Sequence, residues 1–441
     1  MNLKYKIETY GCQMNVHDSE KLAGILSSLN CTPAKSIDDA DIIVFNTCCI
    51  RDTAEAKIYG NIGALKSLKA NNKELIIAVV GCMTQQDGAA DNLKAKFPFV
   101  DIVLGTANAS LLGEKIKELL TYEGKKRLKI YETAPLDKQV DENVPVFRSS
   151  GINAWINIMY GCDNFCTYCI VPYVRGRERS REPSLIISEA ESLLKEGYKE
   201  ITLLGQNVNS YGNDRNDGYT FPKLLDTIAR LPYKFRLRFM TSHPKDFTEE
   251  LVSVIASNPN IPNGIHLPVQ AGSNAVLKAM NRKYTREQYL SLIDLIKSKL
   301  NNPGITTDIM VGFPGETEDD FLFTLDLVEK VRYSNAFTFI YSSRKGTVAA
   351  KAEQLSYSVK KDRITRLIAL QNKITKEDSA AHIGNVYEVL VESEGKTQGS
   401  VCGRTEGGRL VNIMGGKELI GQFVNVKINK AKSSSLWGVL I

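Results

Sequence analysis

The sequence predicts a multidomain α/β protein. A doubly wound parallel α/β domain is expected over residues 1–146, a partial (β/α)6 barrel over 147–375 and a small β-barrel over 376–441. Three observations carry this. Short apolar runs alternate with amphipathic stretches through the first third, and six more strand–helix units follow. The pattern then switches to short strands between glycine turns. A chain of 441 residues also exceeds one ordinary core.

In the first domain, strands are expected at Lys6–Thr9, Asp41–Asn46, Leu75–Val80 and Val100–Leu104, with a further one at Leu128–Tyr131. Helices are expected at Asp18–Leu29, Arg51–Lys69, Gln85–Lys96 and on to about Leu120; Ala54, Ile58, Ile62 and Leu65 share one helix face. Cys12, Cys48 and Cys82 follow the first, second and third strands. The carboxyl ends of parallel strands share one edge, where such sheets bind ligands. Three thiolates far apart in sequence are therefore expected to meet there. Three buried free cysteines are the competing reading, but burial does not explain the shared position. Cys49 competes with Cys48; neighbours in extended chain point oppositely, and Cys48 is expected to face the site. Cys31 and Cys402 lie outside the pattern and are expected to be structural. The polar stretch Thr121–Ser150 reads as an interdomain connection.

In the central domain, strands are expected at Ile156–Tyr160, Glu200–Leu204, Phe235–Met240, Gly264–Val269, Thr306–Gly312 and Ala336–Tyr341. Helices between them include Pro183–Lys195, Thr248–Ser257, Arg286–Lys299 and Glu318–Lys330. Chemistry should gather on the loops at the strands' carboxyl ends. The first of these loops, YGCDNFCTYCIVPYVRGRERSR from Tyr160 to Arg181, carries Cys162, Cys166 and Cys169 as C-x3-C-x2-C. So short a loop turns three thiolates to one centre without a fourth ligand. Structural zinc takes four ligands, as does a symmetric iron–sulfur cluster; three leave one metal position open to a substrate. Zinc, or two buried thiol pairs, is the alternative. The later loops are polar beyond what a core requires: Gln206, Asn207 and Asn209, then Ser242 and His243, then Gln270 and Ser273, then Gly312–Glu316. Arg175, Arg177, Arg179 and Arg181 recur at every second position, which in extended chain forms one stripe. Such a stripe serves phosphate contact, charge stabilisation of an anionic centre, or solvation alone; Lys278, Arg282 and Lys283 extend the same basic rim.

Ser358–His382 reads as a charged helix leading out of the barrel, and five short strands follow it. The net charge of +6 lies on the side of a polyanion binder. The amino terminus lacks the layout of a secretory signal, and no apolar run suits a membrane span. Nine cysteines without an export signal argue for a reducing, cytoplasmic setting rather than a disulfide framework. Four histidines, none paired at helix-face spacing, exclude the common zinc-hydrolase arrangements.

The spacing of Cys162, Cys166 and Cys169 resembles that of the radical S-adenosylmethionine (SAM) enzymes. Two three-cysteine sets in this order are similar to the methylthiotransferases of that superfamily. GCQMNVHDSEK around Cys12 and NTCCIRDTAEAK around Cys48 resemble the group acting on isopentenyladenosine at position 37 of tRNA. Sister groups acting on threonylcarbamoyladenosine tRNA or on a ribosomal-protein aspartate are the alternative, and a non-catalytic iron–sulfur RNA-binding protein is the other class. The resemblance covers essentially the whole chain. It implies two 4Fe-4S clusters, an auxiliary one on Cys12, Cys48 and Cys82 and a radical one on Cys162, Cys166 and Cys169. It further implies a SAM pocket at Tyr168, Gln206, Asn207, Ser242, His243, Gln270 and Gly312. The last domain resembles the RNA-binding TRAM module, with Arg404, Arg409, Lys417, Lys427, Lys430 and Lys432 toward phosphate. Arg175, Arg177, Arg404 and Lys430 are the foremost RNA candidates. The implied partners are a tRNA anticodon stem-loop, a one-electron reductant protein of flavodoxin or ferredoxin type, and a sulfur donor or cluster carrier, with no membrane. Lys345 and Val348 stand where proline is expected in relatives.

Overall fold

Two apolar runs of the first domain, IIVFNT and IIAVVG, are buried at every residue, which requires cover on both faces of their sheet. The computed structural model describes residues 2–49, 52–133, 142, 144–148, 151–432 and 435–441. In it β1 (Lys4–Thr9), β2 (Thr32–Pro33), β3 (Ile42–Thr47), β4 (Ile76–Gly81), β5 (Ile102–Leu104) and β6 (Ile130–Glu132) form one parallel sheet, in the order β2-β1-β3-β4-β5-β6. On one face Ile42, Val44, Ile76 and Ala78 meet Leu22 and Leu26 of helix Gln13–Ser28 and Ile116 of helix Leu112–Thr121. On the other, Ile43, Phe45, Ile77 and Val79 meet Ile58, Ile62 and Leu65 of helix Asp52–Asn71 and Leu93 of helix Ala89–Lys96. Alternate side chains thus feed two covered faces, the doubly wound arrangement expected.

Element ends differ from expectation where a local device intervenes. The helix expected from Asp18 starts at Gln13, with Cys12 as its cap. The one expected from Gln85 starts at Ala89, after Gly88 turns the chain through φ +71°. Arg51 and the side chain of Ala54 lie outside the described residues, as do 134–141, 143, 149 and 150 of the expected connection.

In the central domain β7 (Asn153–Asn157) is followed by a hairpin of β8 (Met159–Tyr160) and β9 (Arg179–Ser180). Then come β10 (Glu200–Leu204), β11 (Arg236–Phe239), β12 (Gly264–His266), β13 (Gly304–Val311) and β14 (Asn335–Ile340). Six parallel strands make two sheets, β11-β10-β7 and β12-β13-β14, around one continuous core. The expected first strand, Ile156–Tyr160, is therefore corrected. The barrel strand ends at Asn157, and the cysteine loop lies inside a separate hairpin. Two-residue strands carry no periodicity from which to read this.

Helix Tyr357–Ala381 leads to β15 (Val386–Glu394), β16 (Ser400–Arg404), β17 (Leu410–Met414), β18 (Phe423–Ala431) and β19 (Leu436–Leu440), a closed barrel in the order β15-β16-β17-β19-β18. This barrel rests on the amino ends of the central strands. Arg236 at the start of β11 donates to Glu388 O at 3.0 Å. A methyl on Gly304 at the start of β13 would lie 2.4 Å from Gly407 O. Among the described residues no helix is long and apolar enough to cross a membrane.

Candidate active site

Strand register brings the first cysteine set to one edge. Thr9 pairs with Asn46 and Thr47 with Gly81, so β1, β3 and β4 end at the same level. Beyond them Tyr10 N donates to Asn46 O and Cys82 N to Thr47 O, each at 2.9 Å. Gly11, at φ +137°, has no room for a side chain: its Cβ would lie 2.8 Å from the Cβ of Cys48. Cys48 is thereby packed against the turn that carries Cys12. Asn15 ties the turn to β3, donating to Asn46 Oδ1 at 3.3 Å and Thr47 O at 3.2 Å. Cys12 is exposed, Cys48 and Cys82 are buried, and none of the three is in a disulfide.

Cys49 does not simply turn away. The strand ends at Thr47, so strict alternation is not imposed beyond it, and the Cys49 thiol hydrogen-bonds to the Cys82 sulfur. That bond and burial push Cys49 up. The same bond, joined by the Arg175 guanidinium, holds Cys82 below its ordinary value.

The second set lies in the β8–β9 hairpin. Gly161, at φ +79°, lets Cys162 N donate to Gly176 O at 3.1 Å. The far side is clamped by Asn281, whose Nδ2 donates to Asn164 O at 3.1 Å and Phe165 O at 3.0 Å. Burial pushes Cys162 up to about 11 and Cys169 up to about 12. Arg282, buried, sits 3.4 Å from both Cys166 Sγ and Tyr168 Oη and also donates to Pro268 O at 3.0 Å. Each cysteine set thus has one buried guanidinium against one of its sulfurs: Arg282 on Cys166, and Arg175 on Cys82 at 3.3 Å.

Among the described residues no three ligand-type groups stand close enough to hold a single metal ion. A cubane binds each cysteine on a different iron, so its ligands stand further apart. Two sets of soft thiol donors, each beside a fixed cation, suit an anionic iron–sulfur cluster.

Around the carboxyl ends of β10 and β11, four buried polar atoms lack a partner among the described residues: Gln206 Oε1, Asn207 Oδ1, Asn209 Nδ2 and His243 Nε2. Their other ends are fixed. Asn207 Nδ2 donates to Asp246 at 2.7 Å, Asn209 Oδ1 accepts from His243 N at 3.1 Å, and Gln206 reaches Met14 of the first domain. His243 Nδ1 accepts from Lys245 N at 3.3 Å, so the ring proton belongs on Nε2. Burial, with Arg282 and Lys245 nearby, holds this histidine down at about 2. Buried groups left unpaired are rare. A mixed set of donors and acceptors suits a zwitterion with ribose hydroxyls, and SAM is one. Ser242 is buried in the same loop, and Gln270, at φ +70°, is held by Asp308 O and Met310 N.

Two rim residues serve other ends. Gly312 faces the Lys360 stem, where an added Cβ would lie 2.4 Å from Cγ. The close approach it permits is to this helix. Ser273 caps helix Asn274–Ala279 and bonds Asp320.

The arginine stripe is corrected too. Val171–Arg175 is a short helix, and Gly176 at φ +78° breaks the alternation. Arg175 is only 7% exposed and pairs with Asp18 at 2.7 Å, which removes it from phosphate contact. Arg181 is buried against Glu142 and Glu189, and Arg179 donates to Arg175 O. Arg177 alone of the four faces solvent. Arg282 leaves the basic rim for the cluster loop, while Lys278 and Lys283 stay exposed. In the last barrel Lys427, Lys430 and Lys432 are exposed, Arg404 pairs loosely with Glu392, Lys417 pairs with Glu394, and Arg409 is taken up by Asp378.

The first and central domains meet through Arg175–Asp18, Lys21 Nζ to Tyr160 Oη at 2.6 Å and Thr106 Oγ1 to Val174 O at 2.6 Å. A cavity of about 280 Å³ opens at this seam between Leu22, Ile25 and Leu111 on one side and Tyr160, Arg175 and Arg179 on the other.

Residues 4–105 match the Uncharacterized protein family UPF0004, residues 156–328 the radical SAM superfamily and residues 380–441 the TRAM domain. The chain is 51% identical over 439 residues to a tRNA-2-methylthio-N(6)-dimethylallyladenosine synthase of Desulforamulus reducens, covering 99% of this chain and 95% of that one. It is 51% identical over 437 residues to the protein of the same name from Clostridium botulinum (strain Langeland), covering 99% and 96%. A solved radical S-adenosylmethionine methyltransferase, TsrM, from Kitasatospora setae superposes at a TM-score of 0.55 and 14% identity over 77% of this chain and 73% of that one, a likeness of fold alone.

Proposed function

The chain belongs to the radical SAM family of tRNA-2-methylthio-N(6)-dimethylallyladenosine synthases, and from that membership we propose how its two cysteine sets divide the work. The protein methylthiolates isopentenyladenosine in tRNA and uses SAM and iron–sulfur chemistry to do so. The target is C2 of the adenosine at position 37. Residues 1–146 carry an auxiliary 4Fe-4S cluster on Cys12, Cys48 and Cys82, residues 147–375 a radical one on Cys162, Cys166 and Cys169, and residues 376–441 grip RNA.

When bound, the clusters and two SAM molecules supply a methylated sulfur and a 5′-deoxyadenosyl radical, the means of substituting an aromatic C–H that has no leaving group. The protein's own part is placement and charge. Arg282 and Arg175 each set a guanidinium against one thiolate of a set, which favours the deprotonated ligands a cluster needs. Neutral His243 offers an Nε2–H donor, Asn209 an N–H donor, and Gln206 and Asn207 oxygen acceptors to SAM. Asp18 holds Arg175 in place, and Asn281 the cysteine loop. The adenosine is unstacked from its loop and enters between the sets, as RNA readers treat single-stranded bases. Electrons come from a flavodoxin- or ferredoxin-type protein and sulfur from a donor or cluster carrier. None of the nine cysteines is in a disulfide, which suits a reducing cytoplasm.

One observation carries this reading. Arg175, just downstream of Cys169 in the radical loop, touches Cys82 of the other set, so both sets open on one seam. The test is anaerobic incubation of reconstituted, reduced protein with SAM and a prenylated anticodon stem-loop. Formation of both 5′-deoxyadenosine and the methylthio nucleoside is expected. Turnover of SAM with no change in the RNA would reject the assignment of substrate.

A further inference from the structure

The lip of the radical loop carries three side chains that neither the core nor the cluster uses. Phe165, inside the C-x3-C turn, has φ +46°, a conformation that bulky L residues rarely adopt. Asn281 enforces it through its two bonds to Asn164 O and Phe165 O. The ring is consequently held outward and only half-buried. The Tyr173 ring meets it edge-on, centroids 6.1 Å apart at 87°. The Arg177 guanidinium lies 5.2 Å from its centroid. Tyr173 is 45% exposed and the Arg177 side chain 72%. Arg177 has an ion partner, Asp163 at 3.2 Å, yet stays open to solvent.

Strained backbone kept by surrounding structure concentrates where a ligand is handled. Here the strain presents a π-face one residue from Cys166, on the segment whose Arg175 reaches Cys82. Two aromatic rings and an exposed guanidinium match an unstacked base and its phosphate. Resting on the tRNA reading above, we propose that Phe165, Tyr173 and Arg177 form a stacking platform. It takes the nucleotide beside the target adenosine and keeps the loop open while the adenosine enters.

The platform is tested with full-length reconstituted protein, comparing preparations of equal iron content. The probe is a prenylated anticodon stem-loop carrying 2-aminopurine beside the target adenosine. Stacking on the rings should alter the fluorescence of the probe when wild type binds. Phe165→Leu and, at an exposed position that does not endanger folding, Tyr173→Leu should abolish that change. Both should weaken binding about tenfold, within the range for one base–aromatic stack, without altering its salt dependence. Arg177→Gln should instead lower the slope of log K against log salt by about one. Wild-type affinity and fluorescence change in both aromatic variants would overturn the platform while leaving the tRNA reading intact. Failure of wild type itself to bind the stem-loop would overturn both.

Discussion

Gly161→Ala should empty the radical site and leave the auxiliary one. Gly161 sits at φ +79°, where alanine costs about 1–2 kcal/mol. Its Cβ would stand 1.9 Å from Arg177 O and 2.6 Å from Gly176 O. Both are backbone atoms and cannot rotate aside, so overpacking adds about 1–3 kcal/mol. Relieving the clash parts Cys162 N from Gly176 O, a further loss of about 1 kcal/mol. The total, roughly 3–6 kcal/mol, falls on a hairpin held by only two strand residue pairs, which opens locally before the domain unfolds. Gly197→Ala is the control: φ is +100°, but nothing lies within 4 Å of the added Cβ. Iron and acid-labile sulfide should fall to about half in the first variant and stay full in the second. Formation of 5′-deoxyadenosine should vanish in the first alone. Full iron and undiminished SAM cleavage in Gly161→Ala would refute the steric argument.

Cys48→Ala should likewise lose about half the iron but keep SAM cleavage, whereas Cys49→Ala should keep both; the reverse pattern, read by iron analysis, would reassign the ligand. His17 and His243 are buried, and both are held well down, chiefly by desolvation, the latter at about 2. The unfolded chain, with histidines near 6.5, binds more protons below that value, so their contribution is whole above about pH 6.5 and is lost as pH falls. Each should cost about 1.4 kcal/mol at pH 5.5. Denaturant midpoints at pH 7.5 and 5.5 check this, and His17→Gln should remove about half the difference. Lys427→Ala with Lys430→Ala should weaken tRNA binding and cut its salt slope by about two without changing which adenosine is modified, as nucleoside analysis would show.

The meeting of Cys12, Cys48 and Cys82 at one edge was legible because parallel strands end on a common edge whatever their details. The arginines were not. Read as extended chain, RGRER is a stripe, yet Pro172 near the start of a five-residue helix and Gly176 after it turn Arg175 inward. Proline before and glycine after a short segment was the available signal. For Arg282 the sequence held no cue. Asn281 and Lys283 both lie in the left-handed region, at φ +60° and +63°, and that geometry delivers the guanidinium to Cys166. Alternation does not decide between Cys48 and Cys49, since it holds within a strand and both cysteines lie just past one.

The docking of the last barrel explains why affinity and base choice should separate. Gly407 and Glu388 sit against the amino ends of β11 and β13, whereas both cysteine sets open at carboxyl ends. β13 has eight residues, and at about 3.3 Å each the two faces lie roughly 26 Å apart. On the proposed reading, cations on the barrel therefore lie too far away to read the adenine and would hold phosphates elsewhere on the same RNA. On that same reading, recognition of the target would fall to what borders the seam: the Phe165 lip and the first domain's cysteine edge. Charge changes on the barrel should then move binding alike for every competing tRNA, while changes at the seam should alter which RNA is modified.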